Sequence, residues 1–223
     1  MSEHTVADLF AAGLDRHLAL AGTLSEADGA VPTAACPLWT VKDVYSHLAG
    51  LCADILDGRT DGAATDPWTA RQVAERADRS LADNVAELAA KGPAIVEVLR
   101  TFPVERVVVD QWTHEQDVRG ALGRPGSRDV PAVAWALDLV AGPIGEQRTA
   151  RGEPALRVDG SSGTWVLGDG DPEATIRADD FDLLRAYLGR RSAEQVGGWL
   201  VDGDPSAVGT VALFGPRTDP LVE

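Results

Sequence analysis

One stretch decides how the whole chain is interpreted: Val107-Val-Val-Asp-Gln-Trp-Thr-His-Glu-Gln-Asp-Val-Arg119. A helix advances about 100° per residue, so Asp110, His114 and Asp117 fall on one side of a helix that covers this stretch. The residues around them are apolar enough to belong to a protein core. A buried row of polar side chains requires partners, and a metal ion is the partner that this mixture of carboxylates and imidazole favours.

The composition is that of an ordinary folded protein, since 44% of the 223 residues are hydrophobic and 25% are charged, which argues against extended disorder. The net charge of −15 leaves no basic face for nucleic acid or for an anionic membrane surface. No targeting segment and no stretch of membrane-spanning length is apparent, so we expect a cytoplasmic protein. Cys36 and Cys52 are expected to be free thiols, and the arginine-rich, lysine-poor composition is typical of a high-GC, for example actinobacterial, genome.

Hydrophobic periodicity predicts that the first part of the chain is helical. Five helices are expected, at residues 5–24, 40–57, 68–91, 103–119 and 131–147. Thr40 and Asp43 are predicted to form a capping box that opens the second helix. Gly92-Pro93 is predicted to interrupt the helical pattern after the third helix.

Beyond Arg151 the pattern changes to short β-type runs separated by Gly, Asp and Pro turns. Strands are expected at 155–158, 162–167, 174–177 and 199–201, with a helix at 180–187. Helices followed by strands predict an α+β protein of two domains, namely a helical bundle over residues 1–150 and a small α+β domain over residues 151–223.

The histidines suggest where a metal would bind. His47 lies on the apolar face of the second predicted helix, while Asp110 and His114 are four residues apart, hence one turn apart, on the fourth. Three such ligands from facing helices are typical of a catalytic metal site in a bundle. Asp117 is placed to accept the second imidazole proton of His114 and so to fix its orientation.

The same residues also allow a purely structural interpretation. An inward histidine is often a hydrogen-bonded core residue, and a D-x-x-x-H pair fits a hydrogen bond along a helix surface. The sequence has only four histidines, and two of them lie on faces that should converge in one bundle, which raises the metal interpretation to equal standing with the structural one. The residues alone leave both interpretations open.

Two segments carry a resemblance to a known family. They are Trp39-Thr-Val-Lys-Asp-Val-Tyr-Ser-His-Leu-Ala-Gly50 and Asp110-Gln-Trp-Thr-His-Glu-Gln-Asp117, the latter followed by Leu122-Gly-Arg-Pro125. Together they resemble the mycothiol-dependent maleylpyruvate isomerase family of DinB-like four-helix bundles. The region from Leu156 onward is similar to the small C-terminal α+β domain of that family, so the resemblance covers nearly the whole chain.

The resemblance implies a divalent metal, usually zinc, held at His47, Asp110 and His114, although the family pattern has Glu where this chain has Asp110. It further implies mycothiol as a thiol cosubstrate and a small electrophile as substrate, in an isomerase or S-transferase reaction. The family uses arginines to hold its diacid substrate. Arg76 and Arg79 are the candidates here, with solvated surface charges as the alternative.

Several expectations complete this interpretation. Trp39 and Trp112 are predicted to wall the pocket and to contact the cofactor, with ordinary packing as the alternative. The protein is expected to be a monomer or a weak homodimer. Two other functions stay open: a non-catalytic metal-binding or regulatory protein, whose metal would have a fourth protein ligand, and a metal-dependent hydrolase that needs no thiol.

Overall fold

The computed structural model describes residues 4–223 and confirms the predicted α+β class, with helices first and a small sheet afterwards. Its contacts divide the chain into two compact units. Unit 1 runs to Gly126 and includes Glu223, and unit 2 covers Ser127–Val222.

Unit 1 is a helical bundle. Its helices are α1 (Val6–Ala21), α2 (Glu26–Gly29), α3 (Val41–Leu56), α4 (Asp66–Ala74), α5 (Leu81–Thr101) and α6 (Arg106–Ala121). The four long helices α1, α3, α5 and α6 pack on one another, and α4 packs on α3. Within residues 4–223, none of the helices combines the length and apolarity that a membrane crossing requires.

The predicted capping box at the start of α3 is confirmed. The backbone N–H of Thr40 donates to Asp43 Oδ2 at 2.9 Å, and the N–H of Asp43 donates to Thr40 Oγ1 at 3.3 Å. These two bonds satisfy amides that the first turn of a helix leaves unpaired. They also fix the first residue of α3, and therefore the face on which His47 lies.

The predicted third helix is wrong in its boundaries, because α4 and α5 are separate helices and α5 continues through Pro93. The start of α5 is set by a capping box between Ser80 and Asp83. Gly92 serves packing rather than termination: a Cβ there would lie 2.5 Å from Leu14 Cδ2, so its absence lets α1 approach α5. Pro93 removes one helical hydrogen bond, which the packing of α5 in the bundle offsets.

Unit 2 is a small sheet with helices. Its elements are α7 (Pro131–Ala150), β1 (Leu156–Asp159), β2 (Thr164–Leu167), β3 (Ala174–Arg177), α8 (Asp180–Tyr187), α9 (Ala193–Gly197), β4 (Leu200–Gly203) and a 3-10 turn, Pro205–Ala207. The strand order is β2-β1-β3-β4. The strands β1 and β2 form an antiparallel hairpin, β1 and β3 are parallel, and β3 and β4 are antiparallel.

The fifth predicted helix, α7, belongs to unit 2, so the boundary lies at Gly126–Ser127 rather than near residue 150. The physical reason is packing, since α7 lies against α8 and β2. Arg148 near the end of α7 is fully buried and donates to the carbonyl oxygens of Pro154 and Val208, both at 2.7 Å. These bonds tie α7 to the chain that follows it.

Candidate metal centre

The three predicted ligands meet inside unit 1. His47 comes from α3, Asp110 and His114 come from α6, and one ligand atom of each lies within 4.8 Å of the others. His47 Nε2 is 3.1 Å from Asp110 Oδ2, and His114 Nε2 is 3.5 Å from Asp110 Oδ1. The carboxylate therefore lies between the two imidazoles, and both Nε2 atoms face it.

The other nitrogen of each imidazole is held by an oxygen. His114 Nδ1 lies 3.0 Å from Asp117 Oδ2, and His47 Nδ1 lies 2.7 Å from Gln72 Oε1. A carboxylate or amide oxygen accepts a hydrogen bond, so each Nδ1 carries a proton and donates it. This orients both rings with Nε2 toward Asp110.

Burial and charge shape the site. The imidazoles of His47 and His114 are buried, whereas 31% of the Asp110 side chain is exposed, so the site opens at the carboxylate. Burial works against the ionised form of Asp110, but the two imidazoles outweigh it and hold the pKa of this carboxyl far below its usual range. Burial likewise opposes charge on His114, yet Asp110 and then Asp117 raise its pKa well above 6.5.

Aromatic side chains lie beside the two histidines of the site. The centroid of the Trp39 ring lies 5.2 Å from that of His47 and 5.5 Å from that of His114, and Trp68 meets His47 edge-on at 6.5 Å. Trp39 therefore lies beside both histidines, and its role as a pocket wall that contacts the cofactor stays a prediction. Trp68 was missed. Trp112 is 1% exposed, which fits the packing alternative.

The loop before α3 holds both Trp39 and a cysteine beside the site. The hydroxyl of Thr33, itself buried, donates to the carbonyl oxygens of Cys36 at 2.9 Å and Trp39 at 2.8 Å. Cys36 Sγ donates to Asp117 Oδ2 at 3.2 Å. Cys36, His114 and Asp117 also have ligand atoms within 4.8 Å of one another. Cys36 forms no disulfide, as the sequence predicted. Nothing in the sequence of its loop indicated that it would lie beside His114 and Asp117.

The second cysteine is expected to be chemically inert in the folded protein. Cys52 is 1% exposed, and burial raises its pKa to about 12, so almost no thiolate exists at neutral pH. With Ellman's reagent at pH 8 we expect one thiol per native chain to react, the half-buried Cys36, and two in urea. Fast reaction of two thiols in the native wild type, or of the one remaining thiol in the native Cys36→Ser variant, would contradict this assignment.

Two further polar residues near His47 were missed by the sequence analysis. Gln72 Nε2 donates to Asp54 Oδ2 at 2.7 Å, behind the Gln72 oxygen that contacts His47. Asp54 follows His47 by seven residues, which places it on the same face of α3, so a second buried polar group on that face was an available signal. Gln72 gave no such signal, because its helix was predicted with the wrong boundaries.

The two arginines predicted to hold substrate are paired elsewhere. Arg76 is buried and donates to both carboxylate oxygens of Glu87 at 2.8 Å, and Arg79 donates to Glu87 Oε2 at 2.6 Å. Arg76 is therefore not the solvated surface charge of the alternative interpretation. These pairings do not favour a substrate-binding role for either arginine, and that role stays a prediction.

A bundle that brings two histidines and an aspartate together in this way defines a candidate metal-centre protein. The model of the mycothiol maleylpyruvate isomerase N-terminal domain matches residues 10–137. The chain therefore belongs to the mycothiol maleylpyruvate isomerase family.

Two solved structures resemble the fold. One is the crystal structure of the mycothiol-dependent maleylpyruvate isomerase, with a TM-score of 0.53 and 14% identity over 83% of this chain and 88% of that chain. The other is a histidine-to-alanine mutant of that enzyme, also with a TM-score of 0.53 and 14% identity, over 82% of this chain and 88% of that chain. No curated protein matches the sequence. At this identity the likeness concerns the fold.

Proposed function

We propose that this protein is a metal-dependent enzyme that uses mycothiol, acting as an isomerase or S-transferase on a small electrophile. The observation that carries the proposal is the convergence of His47, Asp110 and His114 within 4.8 Å, with both Nε2 atoms facing the carboxylate. Mycothiol is the proposed thiol because the chain belongs to the mycothiol maleylpyruvate isomerase family. Zinc is the proposed metal.

The residues present fit a divalent ion such as zinc. Two imidazole nitrogens and one carboxylate oxygen are a common ligand set for zinc in catalytic sites, which keep a further position for water or substrate. Both Nδ1 atoms are occupied by Gln72 and Asp117, an outer arrangement that metal-binding histidines usually have. The exposed fraction of Asp110 leaves access from solvent for a fourth, exchangeable ligand.

When bound, the metal would supply Lewis-acid chemistry by lowering the pKa of a coordinated thiol, so that sulfur reacts as a thiolate near neutral pH. Trp39 lies against both imidazoles and shields them from water on that side. Asp117 and Gln72 hold the two rings in place. The chain's own cysteines supply no sulfur in this scheme.

The reaction class follows from thiol addition. The sulfur forms a bond to one carbon of an electrophilic double bond, and the electron pair of that double bond moves toward its activating carbonyl. Rotation about the resulting single bond, followed by loss of the thiol, restores the double bond as the other isomer. If the carbon–sulfur bond is kept and the adjacent carbon is protonated, the result is S-transfer.

Metal analysis combined with a mycothiol titration tests this proposal. We expect close to one zinc per chain, and calorimetric binding of mycothiol to the zinc-loaded protein but not to the chelator-treated protein. S-methylated mycothiol, which cannot ionise at sulfur, is the matched control and should bind at least about tenfold more weakly. Zinc uptake without any effect of mycothiol would favour a hydrolase or a structural metal, and absence of zinc uptake would overturn the proposal.

Turnover can then be assayed with maleylpyruvate, the compound in the name of the structural relatives. Isomerisation that requires both zinc and mycothiol would identify the reaction. If maleylpyruvate is not converted although both bind, a panel of small electrophiles with activated double bonds or rings follows, with S-conjugates measured by mass spectrometry.

A further inference from the structure

A chain of three buried side chains leads away from the candidate metal centre. It runs from His47 Nδ1 to Gln72 Oε1 at 2.7 Å, and from Gln72 Nε2 to Asp54 Oδ2 at 2.7 Å. All three residues are at most 1% exposed. Water therefore cannot substitute for either hydrogen bond, and the polar atoms must satisfy one another.

The direction of these bonds is fixed by the residue at the far end. An amide can present either its oxygen or its NH₂ group to a neighbour, but a carboxylate only accepts hydrogen bonds. Asp54 can therefore accept a hydrogen bond only from the NH₂ group of Gln72, and this orientation of the amide leaves the Gln72 oxygen facing His47. An oxygen accepts, so His47 must carry a proton on Nδ1, and Nε2, which faces Asp110 Oδ2 at 3.1 Å, is the nitrogen on the metal side.

We propose that Asp54, acting through Gln72, fixes the tautomer of His47 and thereby aims Nε2 at the metal. Asp54 and Gln72 are positioning residues, since neither contacts the proposed metal or substrate. The inference deepens the proposed function and rests on it, because a fixed tautomer matters at this site only if Nε2 binds a metal. It also explains why a charged side chain lies fully buried on α3, where two arginines pair with it.

Those two arginines compensate the charge of the buried carboxylate. Arg71 Nη2 lies 2.9 Å from Asp54 Oδ2, and Arg59 Nη2 lies 2.8 Å from Asp54 Oδ1. A buried charge is costly unless it is paired and hydrogen-bonded, and these two ion pairs supply that pairing for Asp54.

The close approach of α4 to α3 depends on a glycine. A Cβ at Gly50 would lie 2.6 Å from Gln72 Cβ and 2.8 Å from Gln72 Cγ. Any larger residue would have to displace the Gln72 side chain. Gly50 thus makes room for the amide one helical turn after His47.

Four variants test the proposal: Asp54→Leu, which removes the carboxylate at similar volume, Gln72→Met, the double variant, and Glu115→Met as control. Glu115 is a buried carboxylate between Arg16 at 2.8 Å and Arg119 at 2.9 Å, so its removal reproduces the loss of a doubly paired charge on another helix. The tautomer of neutral His47 is read from long-range proton–nitrogen-15 spectra of the metal-free protein. Zinc affinity is measured by competition with a chelator.

We expect Nδ1 of wild-type His47 to carry a proton, and Asp54→Leu and Gln72→Met to lose this proton in a fraction of the molecules. Zinc affinity should fall about 10- to 100-fold in each, as is usual when an outer partner of a metal ligand is lost. The double variant should be no worse than Gln72→Met alone, because Asp54 acts through Gln72. Glu115→Met should keep the tautomer and bind zinc within about threefold of the wild type.

Three outcomes would overturn the inference. They are a wild-type His47 without a proton on Nδ1, a Gln72→Met variant with unchanged Nδ1 protonation and zinc affinity, and a Glu115→Met variant as impaired as Asp54→Leu. If Asp54→Leu does not fold, the Gln72→Met variant still tests the inference. The proposed function fails in a distinguishable way, because a wild-type protein that binds no zinc would still show in its spectra whether His47 Nδ1 carries a proton.

Discussion

Replacement of His47 or His114 with alanine is expected to eliminate zinc binding. Each histidine supplies one of three proposed ligands, and two remaining ligands fall below the number that zinc sites in proteins normally have. Zinc affinity should fall by more than about 100-fold, the upper range for the loss of an outer partner. Chelator competition gives the affinity, and elemental analysis after gel filtration gives the metal content.

A histidine outside the cluster provides the control. His4 is exposed and precedes α1, so His4→Ala should bind zinc like the wild type. Circular dichroism must show that the His47 and His114 variants keep the helical bundle, since both side chains are buried. Zinc retained at wild-type affinity by folded His114→Ala protein would remove this residue from the ligand set.

The parts of the site that the sequence predicted depend on local rules. Asp110 and His114 come together because residues four apart share a helix face, and this holds wherever the helix lies in the bundle. His47 was placed on the inner face of α3 by apolar periodicity, and Thr40 fixed where that helix begins. Helix faces and caps are set by a few neighbouring residues, so they can be read from one sequence.

The parts that were not predicted depend on contacts between distant segments. Gln72 reaches His47 because α4 ends at Ala74 and packs on α3 as a separate short helix. The prediction of one continuous helix over 68–91 overlooked this arrangement, although Ser80 and Asp83 carry the capping-box pattern that starts α5. The boundary between the units was likewise misplaced, because the periodicity of α7 shows an apolar face but not which partner covers it.

Replacement of Asp110 with alanine is the second substitution with a large expected effect. In the zinc-loaded protein it removes the only proposed anionic ligand, so zinc affinity should fall more than about 100-fold, as for the histidines. In the metal-free protein it removes the carboxylate that raises the pKa of His114, so this pKa should fall. Nuclear magnetic resonance titration of the His114 ring measures that shift directly.

The same substitution should destabilise the metal-free protein in a pH-dependent way. His114 has a folded pKa above its ordinary value of 6.5, so its interaction with Asp110 stabilises the fold fully below pH 6.5 and is lost as pH rises through the folded pKa. Asp110 stays ionised throughout this window, because its folded pKa lies far below its usual range. Urea unfolding should therefore show a larger loss for Asp110→Ala at pH 5.5 than at pH 9.5.

The Asp110→Glu substitution keeps the negative charge at this position but lengthens the side chain by one methylene group. The sequence resemblance implies Glu at this position, yet the shorter Asp110 already lies 3.1 Å and 3.5 Å from the two imidazoles. The extra methylene must bend toward solvent, which the 31% exposure of the side chain permits. We therefore expect Asp110→Glu to bind zinc within about tenfold of the wild type, since it restores a carboxylate ligand. If Asp110→Glu instead lost zinc as completely as Asp110→Ala, the distance from α6 to the ion would be the property that selects aspartate in this chain.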